Sequence, residues 1–217
     1  MKQKHVFIIA AVALLVAFVV ATLMFNLGKS GDNPALAAEN RALLVRFHSP
    51  TQGPAEAKVE IVEFFDPACE TCASFYPMVK KLIAKQPDKI RLVLRYAPFH
   101  KGSDAVVAML EAARKQDKFW PALERLLTTQ RLWAPNHHPQ VALAAAQLEG
   151  LGLNMEQLQR DMQSPEIAQR IQQDLDDARR LNVTMTPEFF VNGRPLPTFG
   201  FEVLEGLVSD ELAVKGK

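Results

Sequence analysis

The stretch VEFFDPACETC, residues 62–72, holds both cysteines of the 217-residue chain, Cys69 and Cys72. Its first four residues end the run AKVEIVEFF (57–65), which is rich in Val, Ile and Phe and is typical of a buried strand. The residues that follow, CASFYPMVKKLIAKQ (72–86), place apolar side chains on one face of a helix. We therefore predict that the two cysteines lie where a buried strand passes into a helix.

This position favours redox chemistry over the other readings of a CxxC motif, which are half of a metal site and coincidence. The N-terminus of a helix presents free N–H groups and a positive dipole end, which lower the pKa of a thiol from about 8.5. Cys69 is therefore the predicted nucleophile, and Cys72, one helical turn later, is placed to resolve a mixed disulfide. A four-cysteine zinc site would need a second CxxC motif, and the sequence has only two cysteines.

Further strands and helices are predicted around this pair. The segment 89–99 predicts a second strand, so that strand, helix and strand form a βαβ unit with a parallel pair. The segment 187–197 predicts a hairpin with an Asn-Gly turn, and an amphipathic helix closes the chain. Residues 42–50 predict an early edge strand. Ser103 is the predicted N-cap of the first helix of the segment 103–182.

From residue 41 onward, these elements predict one domain that is built from two segments of the chain, with an insertion between them. Residues 41–102 and 183–217 carry the predicted strands, the cysteines and the closing helix, whereas residues 103–182 are predicted to be helical throughout. The predicted fold class is therefore α/β, with a helical insertion after the second main strand.

Three separated segments resemble the thioredoxin superfamily, and within it the DsbA-like thiol:disulfide oxidoreductases. They are VEFFDPACETC, RYAPFHKGSDAVVAMLEAARKQDKFW (95–120) and TPEFFVNG (186–193), and Pro77 matches the helix-kinking proline of thioredoxins. The resemblance covers about residues 55–213 and implies a thioredoxin-like fold with an inserted helical domain. It also implies a protein thiol:disulfide oxidoreductase that needs no bound cofactor, because electrons pass through mixed disulfides.

The resemblance implies roles for three residues besides the cysteines. Thr186 and Pro187 would form a cis peptide bond facing the dithiol, where the backbone of Thr186 pairs with an extended client strand. Glu63 lies on the buried strand, and the period of two places its side chain on the same face as apolar ones. The resemblance implies that this acid accepts the proton of Cys72.

The dipeptide between the cysteines bears on the direction of electron flow, because a more stable Cys69 thiolate makes the disulfide a stronger oxidant. Glu70 places a carboxylate beside the sulfur, and Thr71 offers at most a hydrogen bond. We therefore expect the pKa of Cys69 to lie near that of thioredoxin, about 7, rather than near that of DsbA, about 3.5. Oxidation of clients and their reduction or isomerisation both stay open.

The N-terminus has the pattern of a membrane anchor. Residues 6–25 form an uncharged, apolar run of 20 residues, preceded by Lys2 and Lys4. As a helix this run is about 30 Å long, enough to cross the hydrocarbon core of a bilayer. We predict one transmembrane helix within residues 1–25 and a linker at residues 26–40, with a cleaved signal sequence as the alternative.

The same pattern predicts the location of the protein. Positive residues before the apolar run keep the N-terminus in the cytoplasm and send the remainder across the cytoplasmic (inner) membrane. The catalytic domain is therefore expected in the periplasm or extracytoplasmic space, where disulfides form and persist.

Charge and chemistry limit the partners. The net charge is +1 without a basic block, so no nucleic-acid partner is predicted. The expected partners are unfolded or cysteine-containing client proteins and a membrane redox partner that resets the dithiol.

Two other functions fit the same sequence. One is a thioredoxin-like metallochaperone that binds Cu(I) through Cys69 and Cys72, although no third soft ligand is evident nearby. The other is a redox-inactive chaperone whose helical insertion supplies a groove. His137 and His138 predict a solvated loop rather than a metal site, and the orientation of His100 is not fixed by the sequence.

Overall fold

A five-stranded sheet forms the centre of the computed structural model, which describes residues 15, 18, 41 and 43–214. The strands are β1 (Thr51–Gln52), β2 (Val59–Phe65), β3 (Ile90–Tyr96), β4 (Glu188–Val191) and β5 (Arg194–Pro195). Their spatial order is β1-β3-β2-β4-β5. Because β2 and β3 are parallel while β4 pairs antiparallel with both β2 and β5, the predicted βαβ unit and hairpin are confirmed.

Helices connect and cover these strands. From residue 70 onward they are α1 (Glu70–Lys85), α2 (Ser103–Arg114), α3 (Phe119–Thr128), α4 (Gln130–Trp133), α5 (Val141–Gln147), α6 (Met155–Met162), α7 (Pro165–Arg180) and α8 (Phe201–Ala213). Helix α1 joins β2 to β3, and α2 to α7 all lie between β3 and β4. The chain thus has the thioredoxin-like α/β arrangement with a run of helices between the two main parts of the sheet.

The sheet separates two hydrophobic layers. On β2, Ile61 and Phe65 face the larger layer, which includes the buried face of α1 and much of the helical insertion. Val62 and Phe64 face a smaller layer that contains residues of α7 and of the segment before β1. Since side chains alternate along a strand, Glu63 shares the face of Ile61 and Phe65 and points into the larger layer.

A buried ionic network joins the segment before β1 to β3 and α7. The fully buried guanidinium of Arg95 on β3 donates at 2.8 Å to the carboxylates of both Asp174 and Asp177 on α7. Arg46 Nη2 lies 2.6 Å from Asp177 Oδ1, and His48 Nε2 lies 2.7 Å from Asp174 Oδ1. The network therefore ties three separate parts of the chain together on the side of the sheet opposite α1.

The segment 42–50 does not form the predicted edge strand. Residues 43 and 44 are helical, a turn follows at residues 47 and 48, and sheet pairing begins only at Thr51. The prediction was wrong because Arg46 and His48 are directed at carboxylates of α7, so the backbone follows the ionic network instead of the sheet edge.

Ser103 is not the N-cap of its helix. It is the first residue of α2, and the N-cap is Gly102, whose φ of 91° suits glycine. The Ser103 hydroxyl instead donates to the carboxylate of Asp66 at 3.1 Å and to the carbonyl of His100 at 2.8 Å.

The predicted membrane anchor falls almost entirely on residues outside the described part of the chain. Within residues 15, 18, 41 and 43–214, no helix combines the length and apolar character that a membrane crossing requires. The anchor at residues 6–25 stays a prediction.

Candidate active site

The two cysteines lie at the junction of β2 and α1, where the sequence predicts them. Cys69 is the N-cap of α1 with an extended backbone (φ −78°, ψ 118°), and Cys72 lies in the first turn. Both thiols are reduced, and the residues are only 4% and 1% exposed. The Cys69 thiol donates to the carbonyl of Thr186, with 3.2 Å between sulfur and oxygen. The dithiol therefore faces the segment that enters β4.

The surroundings give the two thiols opposite acidities. A hydrogen bond from the Cys72 thiol is the largest cause that lowers the pKa of Cys69 to about 5, and hydrogen bonds from the Thr186 side chain and from the N–H groups of Cys72 and Thr71 add to it. Burial raises the pKa of Cys72 well above its usual value, and so do its hydrogen bond to Cys69 and the charge of Glu63. At neutral pH Cys69 is thus the thiol that ionises more readily, and Cys72 keeps its proton.

The expected pKa of about 7 for Cys69 was wrong. Glu70 is exposed on the outer side of the first turn, so water screens its carboxylate from the sulfur. Thr71 contributes through its backbone N–H, a group that the side-chain chemistry of the dipeptide does not reveal. Geometry at the helix start, and not the charge of Glu70, sets the acidity of Cys69.

Glu63 is a buried acid beside the dithiol. It is 2% exposed, and its Oε2 finds no hydrogen-bond partner in the described part of the chain. Burial, followed by the negative charge of Cys69, raises its pKa to about 8. Below that pH the carboxyl therefore carries a proton.

Thr186 and Pro187 form the other wall of the site. Their peptide bond is cis, as the family resemblance implies, and it immediately precedes β4. Pro187 is buried, Thr186 is half-buried, and Met185 before them is exposed. An approaching chain therefore meets the backbone of Thr186 next to the Cys69 sulfur.

Asp66 is a site residue that the sequence reasoning missed. Its buried carboxylate accepts hydrogen bonds from the N–H of Ala68 (2.8 Å), from the N–H and Nδ1 of His100 (2.8 Å each) and from the Ser103 hydroxyl (3.1 Å). An acid that directly follows a buried strand and precedes Pro67 was the available signal. It fixes the turn that leads into Cys69.

The helical insertion supplies two more residues that the sequence analysis did not assign to the site. Gln130 donates its amide to backbone carbonyls of this turn, and His137 stacks on His100 with ring centroids 4.6 Å apart. His137 was predicted to lie in a solvated loop and is instead half-buried, because the left-handed backbone at Asn136 and His137 turns its ring inward. For Gln130 no sequence signal exists.

Metal ligands do not gather around the dithiol in the described part of the chain. Among residues 15, 18, 41 and 43–214, no group of three or more His, Cys, Asp or Glu side chains has the arrangement of a metal site.

A cis-proline strand that faces a reduced CxxC motif at a helix N-terminus defines a thioredoxin-fold dithiol. The sequence profile described as thioredoxin matches residues 47–209. The chain belongs to the thioredoxin family, and its relatives and structural neighbours include DsbA-like thiol:disulfide oxidoreductases.

Three comparisons illustrate this relationship. A thioredoxin-like oxidoreductase of Silicibacter pomeroyi DSS-3 matches with a TM-score of 0.69 at 29% identity, over 81% of this chain and 98% of that one. A probable disulfide bond formation protein D of Bacillus anthracis is 29% identical over 74% of this chain and 76% of its own length. A Na(+)/H(+) antiporter NhaA of Herminiimonas arsenicoxydans is 34% identical over 67% of this chain. The chain spans only 22% of that antiporter's length.

Proposed function

We propose that this chain is a membrane-tethered, extracytoplasmic thiol:disulfide oxidoreductase that exchanges disulfides with client proteins through Cys69-Glu-Thr-Cys72. The observation that carries the proposal is the position of the dithiol. Cys69 is the N-cap of α1 with Cys72 in the first turn, and its sulfur lies 3.2 Å from the carbonyl oxygen of Thr186, just before β4. The apolar run at residues 6–25 supports the tether, and the positive residues before it support an extracytoplasmic catalytic domain.

Client oxidation proceeds in two exchange steps. A client thiolate attacks Cys69 of the Cys69–Cys72 disulfide, and the bond between the two cysteines breaks as the new mixed disulfide forms. Cys72 leaves as a thiolate and takes up a proton. A second client thiolate then attacks the client sulfur of the mixed disulfide, so that a client disulfide forms and Cys69 departs as a thiolate. Client reduction is the same sequence in reverse.

Glu63 is suited to the proton transfer at Cys72. Its pKa of about 8 lets it carry a proton at neutral pH, ready for the leaving Cys72 thiolate. In the reverse direction the ionised carboxylate accepts that proton before Cys72 attacks. Glu63 Oε2 has no hydrogen-bond partner in the described part of the chain, so it is free to take part in both steps.

The Thr186–Pro187 segment is proposed to hold the client. Its backbone lies next to the Cys69 sulfur and leads into β4, so an extended client segment can pair with it as an added strand. Backbone pairing is independent of client sequence, which suits an enzyme that acts on many cysteine-containing proteins. A membrane redox partner resets the dithiol after each turnover.

The reduction potential tests the function and decides its direction. The pKa of about 5 for Cys69 lies between those of DsbA and thioredoxin and favours client oxidation. We expect a potential between about −120 and about −200 mV for the full-length chain in detergent, equilibrated with glutathione and read by thiol alkylation. A value near about −270 mV would instead indicate a reductase or isomerase. The absence of a reversible disulfide would contradict the proposal.

Replacing Glu63 with glutamine tests the proton transfer. In the wild type, the rate at which Cys72 resolves a mixed disulfide should rise as the pH passes through the pKa of Glu63, because Glu63 then ionises and becomes a base. Burial keeps this pKa raised in the mixed disulfide, but the charge of Cys69 is absent there, so the rise should fall below the value of about 8 found with reduced Cys69. In Glu63→Gln this rise should disappear, and the rate at pH 8 should fall about 10- to 100-fold. Rapid acid quench of a Cys69–glutathione adduct measures the rate at which Cys72 resolves it, and Glu60→Gln on the same strand is the control. An unchanged pH profile in Glu63→Gln would contradict the role.

A further inference from the structure

Three consecutive carbonyl groups in the turn before α1 bind side chains of the helical insertion. Gln130 Nε2 donates to the carbonyls of Pro67 at 2.7 Å and Cys69 at 2.9 Å. His137 Nδ1 lies 3.2 Å from the carbonyl oxygen of Ala68. Because a carbonyl oxygen only accepts, Nδ1 of His137 carries the proton in this contact.

Gln130 is an internal residue and not a surface contact. It is 4% exposed and begins α4, whose last residue, Trp133, is fully buried and donates its indole N–H to the carbonyl of Leu126 at 2.9 Å. A buried amide is costly unless its N–H groups are bonded, and both donors of Gln130 Nε2 are used on the turn before α1. The helical core thus fixes the position of the donor.

The opposite side of the same turn is held as well. Asp66 accepts from the N–H of Ala68 and from His100. The imidazole of His100 stacks on that of His137 with an interplanar angle of 13°, so the contacts on the two sides brace each other. Little freedom is left to the turn between β2 and α1.

We propose, on the basis of the disulfide exchange proposed above, that Gln130 and His137 are positioning residues of the dithiol, which hold this turn so that the first N–H groups of α1 face the Cys69 sulfur. They act through the backbone. A donor on the Cys69 carbonyl also polarises the peptide group that links Cys69 to Glu70, and such polarisation strengthens neighbouring hydrogen bonds. This arrangement stabilises the Cys69 thiolate of the reduced form more than it stabilises the uncharged Cys69–Cys72 disulfide.

Gln130→Met is the first test, because methionine has the length of glutamine without its donors. We expect the pKa of Cys69, followed by thiolate absorbance in the full-length chain, to rise above that of the wild type. We also expect the equilibrium constant for reduction by glutathione to fall about fivefold, the size of one lost hydrogen bond. Gln147→Met is the matched control, since among the described residues the side-chain amide of Gln147 binds only within its own helix, to the carbonyl of Leu143.

His137→Phe is the second test and keeps the inference falsifiable if Gln130→Met fails to fold. Phenylalanine preserves a ring to stack on His100 but removes the Nδ1 donor, and His138→Phe, at an exposed neighbour, is its control. A smaller change in the same direction as in Gln130→Met is expected. A loss of thermal stability without any change in the Cys69 pKa or the redox equilibrium would overturn the positioning role.

The two proposals fail in different ways. If the wild-type chain forms a reversible Cys69–Cys72 disulfide and both variants match their controls, the positioning role is wrong and the exchange function stands. If the wild-type chain forms no reversible disulfide, the exchange function is wrong, and the positioning role is wrong with it.

Discussion

Replacing Cys72 with serine is expected to stop turnover while leaving Cys69 able to form mixed disulfides. Cys69 has its pKa lowered to about 5, so it remains a thiolate that attacks a client disulfide. Cys72 lies one turn away in α1. In the proposed exchange it displaces the client as an intramolecular nucleophile. Intramolecular attack has effective molarities of about 10⁵ M or more, so we expect the release rate to fall at least about 1000-fold.

The measurement is the accumulation of client adducts on the enzyme. Full-length Cys72→Ser incubated with an oxidised client should show a covalent complex on a non-reducing gel that a reductant dissolves. Cys69→Ser is the control and should form none, because its remaining thiol is buried and keeps its proton. Turnover of Cys72→Ser at the wild-type rate, or adducts on Cys69→Ser, would show that the roles of the two cysteines are assigned wrongly.

The parts of the site that the sequence predicts are formed by residues that are close together in the sequence. A buried strand, two cysteines and a helix follow one another between residues 57 and 86, so their junction is fixed by adjacency. Glu63 is predictable for the same reason, since the alternation of β2 determines which face its side chain takes. The cis-proline segment is far away in sequence, but its TPEFFVNG motif is recognisable by resemblance.

The parts that the sequence does not predict depend on contacts between distant residues. Gln130 lies 61 residues from Cys69, in a stretch that reads as ordinary helix, and only the packing of the insertion brings its amide to the turn. The error in the segment 42–50 has the same origin, because Arg46 binds Asp177 131 residues away. The acidity of Cys69 was misjudged because the direction of the Glu70 side chain is not encoded in the dipeptide.

Arg95→Met is expected to destabilise the protein by about 3–5 kcal/mol, which is the usual cost of leaving a buried charge without its partner. Arg95 is fully buried, and its guanidinium binds Asp174 and Asp177, which are fully buried as well. Methionine fills part of the volume but cannot donate, so two carboxylates lose their shared cation in the interior. His48 and Arg46 remain bound to them and hold part of the network.

Arg91→Met on the same strand is the matched control. Arg91 is partly exposed and lies 3.7 Å from Glu60, so its loss should cost less than about 1 kcal/mol. Urea denaturation of the full-length chain in detergent measures both free energies of unfolding. If the two variants lose equal stability, the buried network contributes no more than a surface ion pair.

The effect of pH separates the charge of Arg95 from its volume. Burial raises the pKa of Asp177, but the hydrogen bonds and charges of Arg46 and Arg95 outweigh it and hold that pKa below its usual value. A carboxyl with a lowered pKa adds stability above the pKa of the unfolded chain, about 3.9, and loses it as the pH falls through the lower folded value. The deficit of Arg95→Met should therefore be largest near neutral pH and shrink as the acidic region is approached. A deficit that stays constant with pH would mean that Arg95 acts by filling space, and that the carboxylates of α7 do not depend on its charge.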